Sequence, residues 1–263
     1  MLDADHHWRG RALALSSITH GGDTRGPVTL LRREQMIVDG VPTLIPVISG
    51  NAVRGKLRRV AEQMLSEVLH YERHLTIPAA NALRAGGSLV KASTPISGSR
   101  LARLRELVPL IGVFGTAGGG RIIDGCLQVG KLIPCTRETE RITGVATALA
   151  VHDVIGLESY SRVDDSHHPD DNTTPMTYNL EVFLAGTEFD AWFHLTRPTD
   201  LEAAFFHDVI TTFNEAATVA GRSAIGHGRI EFDLHCNQPY PTLDWRHAVA
   251  ANRDEAIEAV NQL

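Results

Sequence analysis

The stretch VISGNAVRGKLRR (47–59) places Gly50, four residues, Gly55 and Lys56 in the spacing G-x-x-x-x-G-K. A loop of that spacing cradles a nucleoside triphosphate when a strand precedes it and a helix follows. The apolar run TLIPVI stands before it and the helix-like run LRRVAEQMLSEVL after it, so the context fits. The chemistry does not. Leu57 occupies the position whose hydroxyl would hold magnesium, and the interior Asn-Ala-Val-Arg has no glycine to turn amides toward phosphate. Hydrolysis of a nucleotide by Gly50 to Lys56 is therefore the most distant reading. Phosphate binding survives it. Ser49 to Asn51 opens a helix, whose first amides are unpaired donors at the positive end of the helix dipole. Arg54 and Arg58, four apart, share one helix face, so one phosphate near the cap and others along the arginines would suit a polynucleotide backbone. An ordinary capped surface helix accounts for the same residues without a ligand.

Other reactive side chains give weaker patterns. The chain has 13 histidines, and His6-His7 and His167-His168, the latter amid Asp164, Asp165, Asp170 and Asp171, are its dense clusters of metal-ligand types. Neither has H-E-x-x-H or Cys/His framework spacing, so no metal and no cofactor is expected. His20 with Asp23 in a glycine loop could form an acid–base or metal pair. No G-x-S-x-G elbow occurs, and Gly221 to Gly226, followed by His227-Gly228, lacks the lysine of a phosphate loop. Cys126, Cys135 and Cys236 are odd in number and lack C-x-x-C spacing, which fits a reducing cytoplasm.

The elements that must position these residues are legible as an alternation of strand and helix patterns. ALALSSIT (12–19) reads as a strand leading into the polar loop HGGDTRG. EQMIV and VPTLIPVI flank Asp39-Gly40, a type I′ hairpin signal. A helix capped at Ser49 or Asn51 runs to about Leu69, with Val53, Leu57, Val60, Met64, Leu65 and Val68 as its apolar stripe. A second helical region covers about 99–111 and breaks near Pro109. RIIDGCLQVGKLIPC (121–135) predicts a strand or hairpin. Residues 158–178 form a polar excursion, followed by a hairpin over 179–195 turning at Ala185-Gly186. DLEAAFFHDVITTFNEAATV (200–219) predicts an amphipathic helix, RIEFDLHC a last strand, and the tail a terminal helix. Tight turns between strands favour an α+β sandwich, and a βαββαβ ferredoxin-like core with insertions accommodates the order.

At 263 residues, with 43% apolar and 21% charged residues, the chain can bury a full core. No apolar run approaches the ~20 residues of a membrane span, and MLDADHHWRGR has no secretory h-region, so a membrane is not an expected partner. The net charge of −6 argues against coating by nucleic acid over the whole surface. Two local basic tracks remain, Arg54-Lys56-Arg58-Arg59 and Lys91 with Arg100, Arg103 and Arg105.

Four motifs, taken in order over about residues 19–232, resemble the RAMP superfamily of RNA-binding subunits in multisubunit CRISPR effectors. VISGNAVRGKLRR resembles the family's I-P-G-S-S-L-K-G-x-L-R signature, with Arg54 for lysine. THGGDTRGPVTLLRRE resembles its glycine-rich loop, LIGVFGTAGGGRI its L-F-G…G-R element, and AGRSAIGHGRIEF its late glycine loop and strand. The resemblance is to the backbone subunit, most of all the type IV form. It implies a single domain over 1–263, a modified ferredoxin-like, RNA-recognition-type palm. A thumb hairpin is implied at about 156–180 and a helical insertion at about 70–115. It implies a guide RNA as ligand, copies of the chain polymerised along it, other effector subunits as partners, and a target nucleic acid recognised through guide pairing. The implied RNA contacts are His20, Gly21, Gly22 and Arg25 in the early loop and Ser49, Asn51, Arg54 and Arg58 at the helix start. Arg222, Gly226 and Gly228 follow in the late loop, and Ser161, Arg162 and Met176 in the thumb. Cleaving members carry an aspartate just before the early-loop proline, where this chain has Thr24-Arg25-Gly26-Pro27. A non-catalytic scaffold is therefore expected, with metal-dependent target-RNA cleavage through the displaced Asp23 as the alternative.

Overall fold

The structure is a computed structural model that describes residues 4–87, 89, 96–118, 121–162 and 176–263. Lys91 and the Asp164–Asp171 cluster with its two histidines lie outside the described residues. In chain order, β1 (His6–Ala14), β2 (Gly21–Arg25), β3 (Val28–Leu31), β4 (Arg33–Val38) and β5 (Val41–Pro46) precede α1 (Gly50–Leu69). Five helical and strand pieces follow: α2 (Ile77–Arg84), α3 (Gly98–Leu107), α4 (Pro109–Phe114) and the short pair β6 (Thr116–Gly118) and β7 (Arg121–Ile123). Then come β8 (Leu127–Val129), β9 (Ile133–Pro134), α5 (Glu140–Thr143), β10 (Ile155–Arg162), β11 (Met176–Phe183) and β12 (Glu188–Leu195). The chain ends with α6 (Asp200–Glu215), β13 (Ile230–Cys236), α7 (Trp245–Ala250) and α8 (Arg253–Asn261).

The main sheet runs β13-β1-β12-β8, with β9 also on β12, and every pairing is antiparallel. Counting β8 and β9 as one strand, the spatial order is fourth, first, third, second, with α1 and α6 as the two crossovers. That is the ferredoxin-like βαββαβ core the sequence suggested. Alternation sets which face is buried: Phe189, Ala191, Phe193 and Leu195 of β12 and Trp8, Ala12 and Ala14 of β1 all lie in the core. Phe206 of α6 meets Trp8, Phe193 and Phe114 edge-on, with ring centroids 5.2, 6.3 and 6.2 Å apart. The mixed α+β architecture agrees with the sequence reading.

A second sheet, β10-β11-β3-β2, stands beside it. β10 and β11 form an antiparallel hairpin over their whole length, from Ile155↔Phe183 to Arg162↔Met176. β11 joins β3 in parallel at Asn179↔Val28 and Leu180↔Thr29. The Asp39-Gly40 hairpin forms as the sequence indicates, with φ of 49° and 82° at the two turn residues. Helix α1 begins at the expected cap: the Ser49 side chain accepts from the Ala52 amide, and His70 closes the helix in a left-handed conformation.

Several boundaries differ from the sequence reading. The first strand starts at His6 rather than residue 12 because its polar residues pair between β12 and β13 in mid-sheet. The loop HGGDTRG forms the fully exposed strand β2. The 179–195 segment does turn at Ala185-Gly186, but β11 and β12 enter different sheets. Phe183 bridges back to Ile18 and the Gly186 amide donates to Ala14, so the turn redirects the chain instead of closing a hairpin. The region 121–135 divides into three short strands, and the tail into α7 and α8. No helix among the described residues is long and apolar enough to cross a membrane.

Candidate nucleic-acid interface

The G-x-x-x-x-G-K spacing lies inside α1 rather than in a loop, which removes the geometry a triphosphate cradle requires. Around that helix start three segments converge on an open groove of about 590 Å³. His20 lies just before β2 and Gly21 begins it. Asn51, Gly55, Lys56 and Arg59 come from the first turns of α1. Ala220, Gly221 and Arg222 come from the late glycine loop, and Leu180 and Glu181 of β11 form a further wall. Of the residues singled out in the sequence, His20, Gly21, Asn51 and Arg222 meet here.

His20 organises the floor. Its Nε2 accepts from the Ser49 amide at 3.1 Å, which requires the neutral ring. Burial, and then the charge of Arg32, hold its pKa below the ordinary 6.5. Two helix-start amides, those of Ser49 and Ala52, are thereby satisfied inside the protein. Anion capture at the rim is left to Asn51 and to the cations beyond it. Arg59 is exposed and makes no hydrogen bond or ion pair among the described residues, and Lys56 has only a 3.5 Å contact to the Thr218 hydroxyl. Desolvation, and then Arg59, lower the Lys56 pKa.

Arg54 and Arg58 point the other way, and the expected phosphate ladder is corrected accordingly. Arg58 is 8% exposed. It donates to the carbonyls of Leu83 and Ala82 at 2.6 Å each, Gly115 at 2.9 Å and Phe114 at 3.2 Å. These carbonyls end α2 and α4, so one guanidinium neutralises two helix C-termini. Burial, and then Arg54, push its pKa down to about 10, which leaves it charged at neutral pH. Arg54 donates to Leu127 and, at 2.9 Å, to Phe114. The physical reason is the helical period. Arg54 and Arg58 continue along the stripe of Ala61 and Leu65, both buried, whereas Lys56 and Arg59 continue along that of exposed Gln63. That signal was present in the sequence.

Arg222 reaches over the groove from a left-handed backbone position, φ 62°. Its guanidinium lies 5.2 Å from the Tyr178 ring centroid and 5.9 Å from that of Tyr160, and it donates to the Tyr178 hydroxyl at 3.2 Å. These tyrosines are direct cross-strand partners in the β10–β11 hairpin, stacked at 5.6 Å. The Tyr160 hydroxyl also contacts the Glu158 carboxylate at 2.6 Å and Nε2 of buried His227. Burial and Glu158 push its pKa up to about 12. His227 thus ties the hairpin to the late loop, and Glu181 ties it to β4 through an ion pair with Arg33 at 2.8 Å. Tyr160, Tyr178 and His227 were missed in the sequence because their partners are up to 67 residues away.

The remaining candidates sit apart from the groove. Gly22 packs against the backbone of Arg32, where a Cβ would come to 2.8 Å of its Cα. Arg25, Ser161 and Gly226 are exposed but outside the lining, and Arg162 and Met176 are described only as paired strand ends. Asp23 is exposed on β2. The arginines of the second basic track are spent within the protein, Arg100 on Gln262, Arg103 on Glu255 and Glu106, and Arg105 on buried Glu202.

A ferredoxin-like core whose two glycine loops converge on the start of its first helix is the architecture that the RAMP resemblance implies. No protein-family model matches the sequence, and no curated protein matches it. Among solved structures, a chain described as "Type IV-B CRISPR Complex" superposes with a TM-score of 0.67 and is 30% identical, covering 92% of this chain and 97% of that one. The chain belongs to the type IV CRISPR complex subunits, and its fold is consistent with the RAMP class.

Proposed function

We propose that this effector subunit binds guide RNA in the groove at the start of α1 and polymerises along it, presenting the guide for target pairing without catalysis of its own. The observation that carries the reading is the convergence of Lys56, Arg59 and Arg222 with Asn51 and His20 on one open groove. Three cations spaced along a trough suit successive phosphates of a strand better than a single small ligand. The β10–β11 hairpin, fastened beside the groove by Arg222 and His227, is the thumb of this reading, with Ser161, Arg162 and Met176 toward its tip. Arg25 and Gly226 flank the track. Arg54 and Arg58 are replaced as phosphate contacts by Lys56 and Arg59.

Two measurements test the proposal. The purified chain should carry RNA of uniform length, and the double substitution K56E/R59E should abolish this while leaving the fold intact. Retention of the RNA by that variant would move the interface elsewhere. The loaded assembly with complementary target RNA and magnesium should leave the target whole. Regularly spaced cuts lost in Asp23→Ala would make the subunit a ribonuclease.

A further inference from the structure

The ends of β1 and β13 remote from the groove bring together three side chains that RNA binding leaves unused. Ala14 pairs with Ile230 near the groove loops, while Trp8 pairs with Cys236 at the opposite end of the same two strands. Six residues of strand separate the two ends by about 20 Å. His6 and Cys236 meet His207 of α6 there. Nδ1 of His6 is 3.2 Å from Nε2 of His207, and Sγ of Cys236 is 3.9 Å from the same nitrogen. The three donor atoms all lie within 4.8 Å of one another. His207 is buried, its ring held edge-on by Trp8 at 4.7 Å and Tyr240 at 5.3 Å.

Two imidazole nitrogens at about 2.0–2.1 Å from one tetrahedral zinc stand about 3.3 Å apart, and a thiolate sulfur about 3.6 Å from either. The nitrogens already have this spacing, and the sulfur needs to close on the His207 nitrogen by a few tenths of an ångström and lies within 4.8 Å of the His6 donor atom. Two imidazoles and a thiol are borderline-soft donors, which select zinc over magnesium or calcium.

We propose that His6, His207 and Cys236 bind one zinc-class transition-metal ion, with water in the fourth position, fastening β1 and the end of β13 to α6. Binding is ligand exchange without electron transfer. The Cys236 thiol gives its proton to solvent, and the sulfur and the two imidazole lone pairs take the place of all but one of the ion's hydration waters. The adjacent group of Asp5, His7 and His194 is a different case. It has no sulfur, and His194 is already bonded to Asp5 at 3.0 Å and stacked on His7 at 3.9 Å.

The test uses the tag-free full chain stripped with a chelator and titrated with cobalt(II) as the spectroscopic stand-in for zinc. Saturation at one ion per chain is expected, with a sulfur-to-cobalt charge-transfer band that zinc abolishes by displacement. Cys236→Ser should remove the band, and Cys236→Ser and His6→Gln should each weaken binding by more than about a hundredfold, beyond what outer-shell changes produce. Should Cys236→Ser not fold, His6→Gln, at a half-buried site, reads the same loss. His194→Gln should change neither band nor affinity. Absence of saturable binding, a band that persists in Cys236→Ser, or loss of binding only in His194→Gln would overturn the assignment.

Discussion

At the scale of single residues, adjacent arginines on one helix have opposite duties. Arg58→Leu removes four hydrogen bonds from a buried charge and uncaps two helices, so a loss of about 3–5 kcal/mol is expected in denaturant unfolding. Arg59→Glu, one position on, should change stability by no more than about 0.5 kcal/mol while sharply weakening RNA binding in a filter assay. The reverse pattern would restore the phosphate ladder first read from the sequence. That reading weighed charge density above the buried period through Ala61 and Leu65, which turns Arg58 inward. His20 gives a second test at this scale. Its folded pKa lies below 6.5, so between the folded value and 6.5 the unfolded chain binds more protons. The contribution of the Ser49–His20 bond is therefore full above pH about 6.5 and is lost as the pH falls through the folded value. Against His20→Ala, the wild type should be more stable by about 1 kcal/mol at pH about 8, shrinking toward pH about 5. An advantage that stays constant with pH would mean the ring is not held as the neutral acceptor.

At the scale of elements, α1 carries a glycine in its second turn whose presence needs a reason. Gly55 has nothing within 4 Å of a would-be Cβ, so no packing constraint requires it, and a glycine there costs about 1 kcal/mol relative to alanine. It lines the groove between Asn51 and Lys56, where a bare backbone lets a phosphodiester strand approach. Gly55→Ala should therefore raise stability by up to about 1 kcal/mol and weaken RNA binding several-fold. A rise in both would leave the glycine without a role in the groove. The helices and the Asp39-Gly40 turn were readable because their signals are local: a cap, a 3.6-residue period, a turn dipeptide. Strand partnership was not. NLEVFLAGTEFDAWFHL carries a turn and two alternating runs, yet Phe183 prefers Ile18 across the chain, and no local pattern encodes that choice. The groove was half legible for the same reason. Its glycine loops and helix start are contiguous motifs, whereas Tyr160, Tyr178 and His227 acquire their roles only when the hairpin folds over the late loop.

At the scale of the whole molecule, 25 lysines and arginines against 31 acidic residues give a net charge of −6, so under the proposed function distant charge would repel RNA and local charge would have to hold it. In the second basic track, Arg103 is neutralised by Glu255 and Glu106 and Arg105 by Glu202. The groove keeps Lys56, Arg59 and Arg222 out of such pairs among the described residues. Each phosphate neutralised on a single strand releases about 0.7 counterion, so three contacts predict a slope of log affinity against log salt of about −2 per subunit. Arg59→Gln should reduce that slope in magnitude by about 0.7, and Arg103→Gln should leave it unchanged although it removes the same formal charge. The comparison separates a local track from a general field, since a field would respond to both substitutions alike. A slope altered by Arg103→Gln and not by Arg59→Gln would place the RNA on the α3–α8 side instead of at the start of α1.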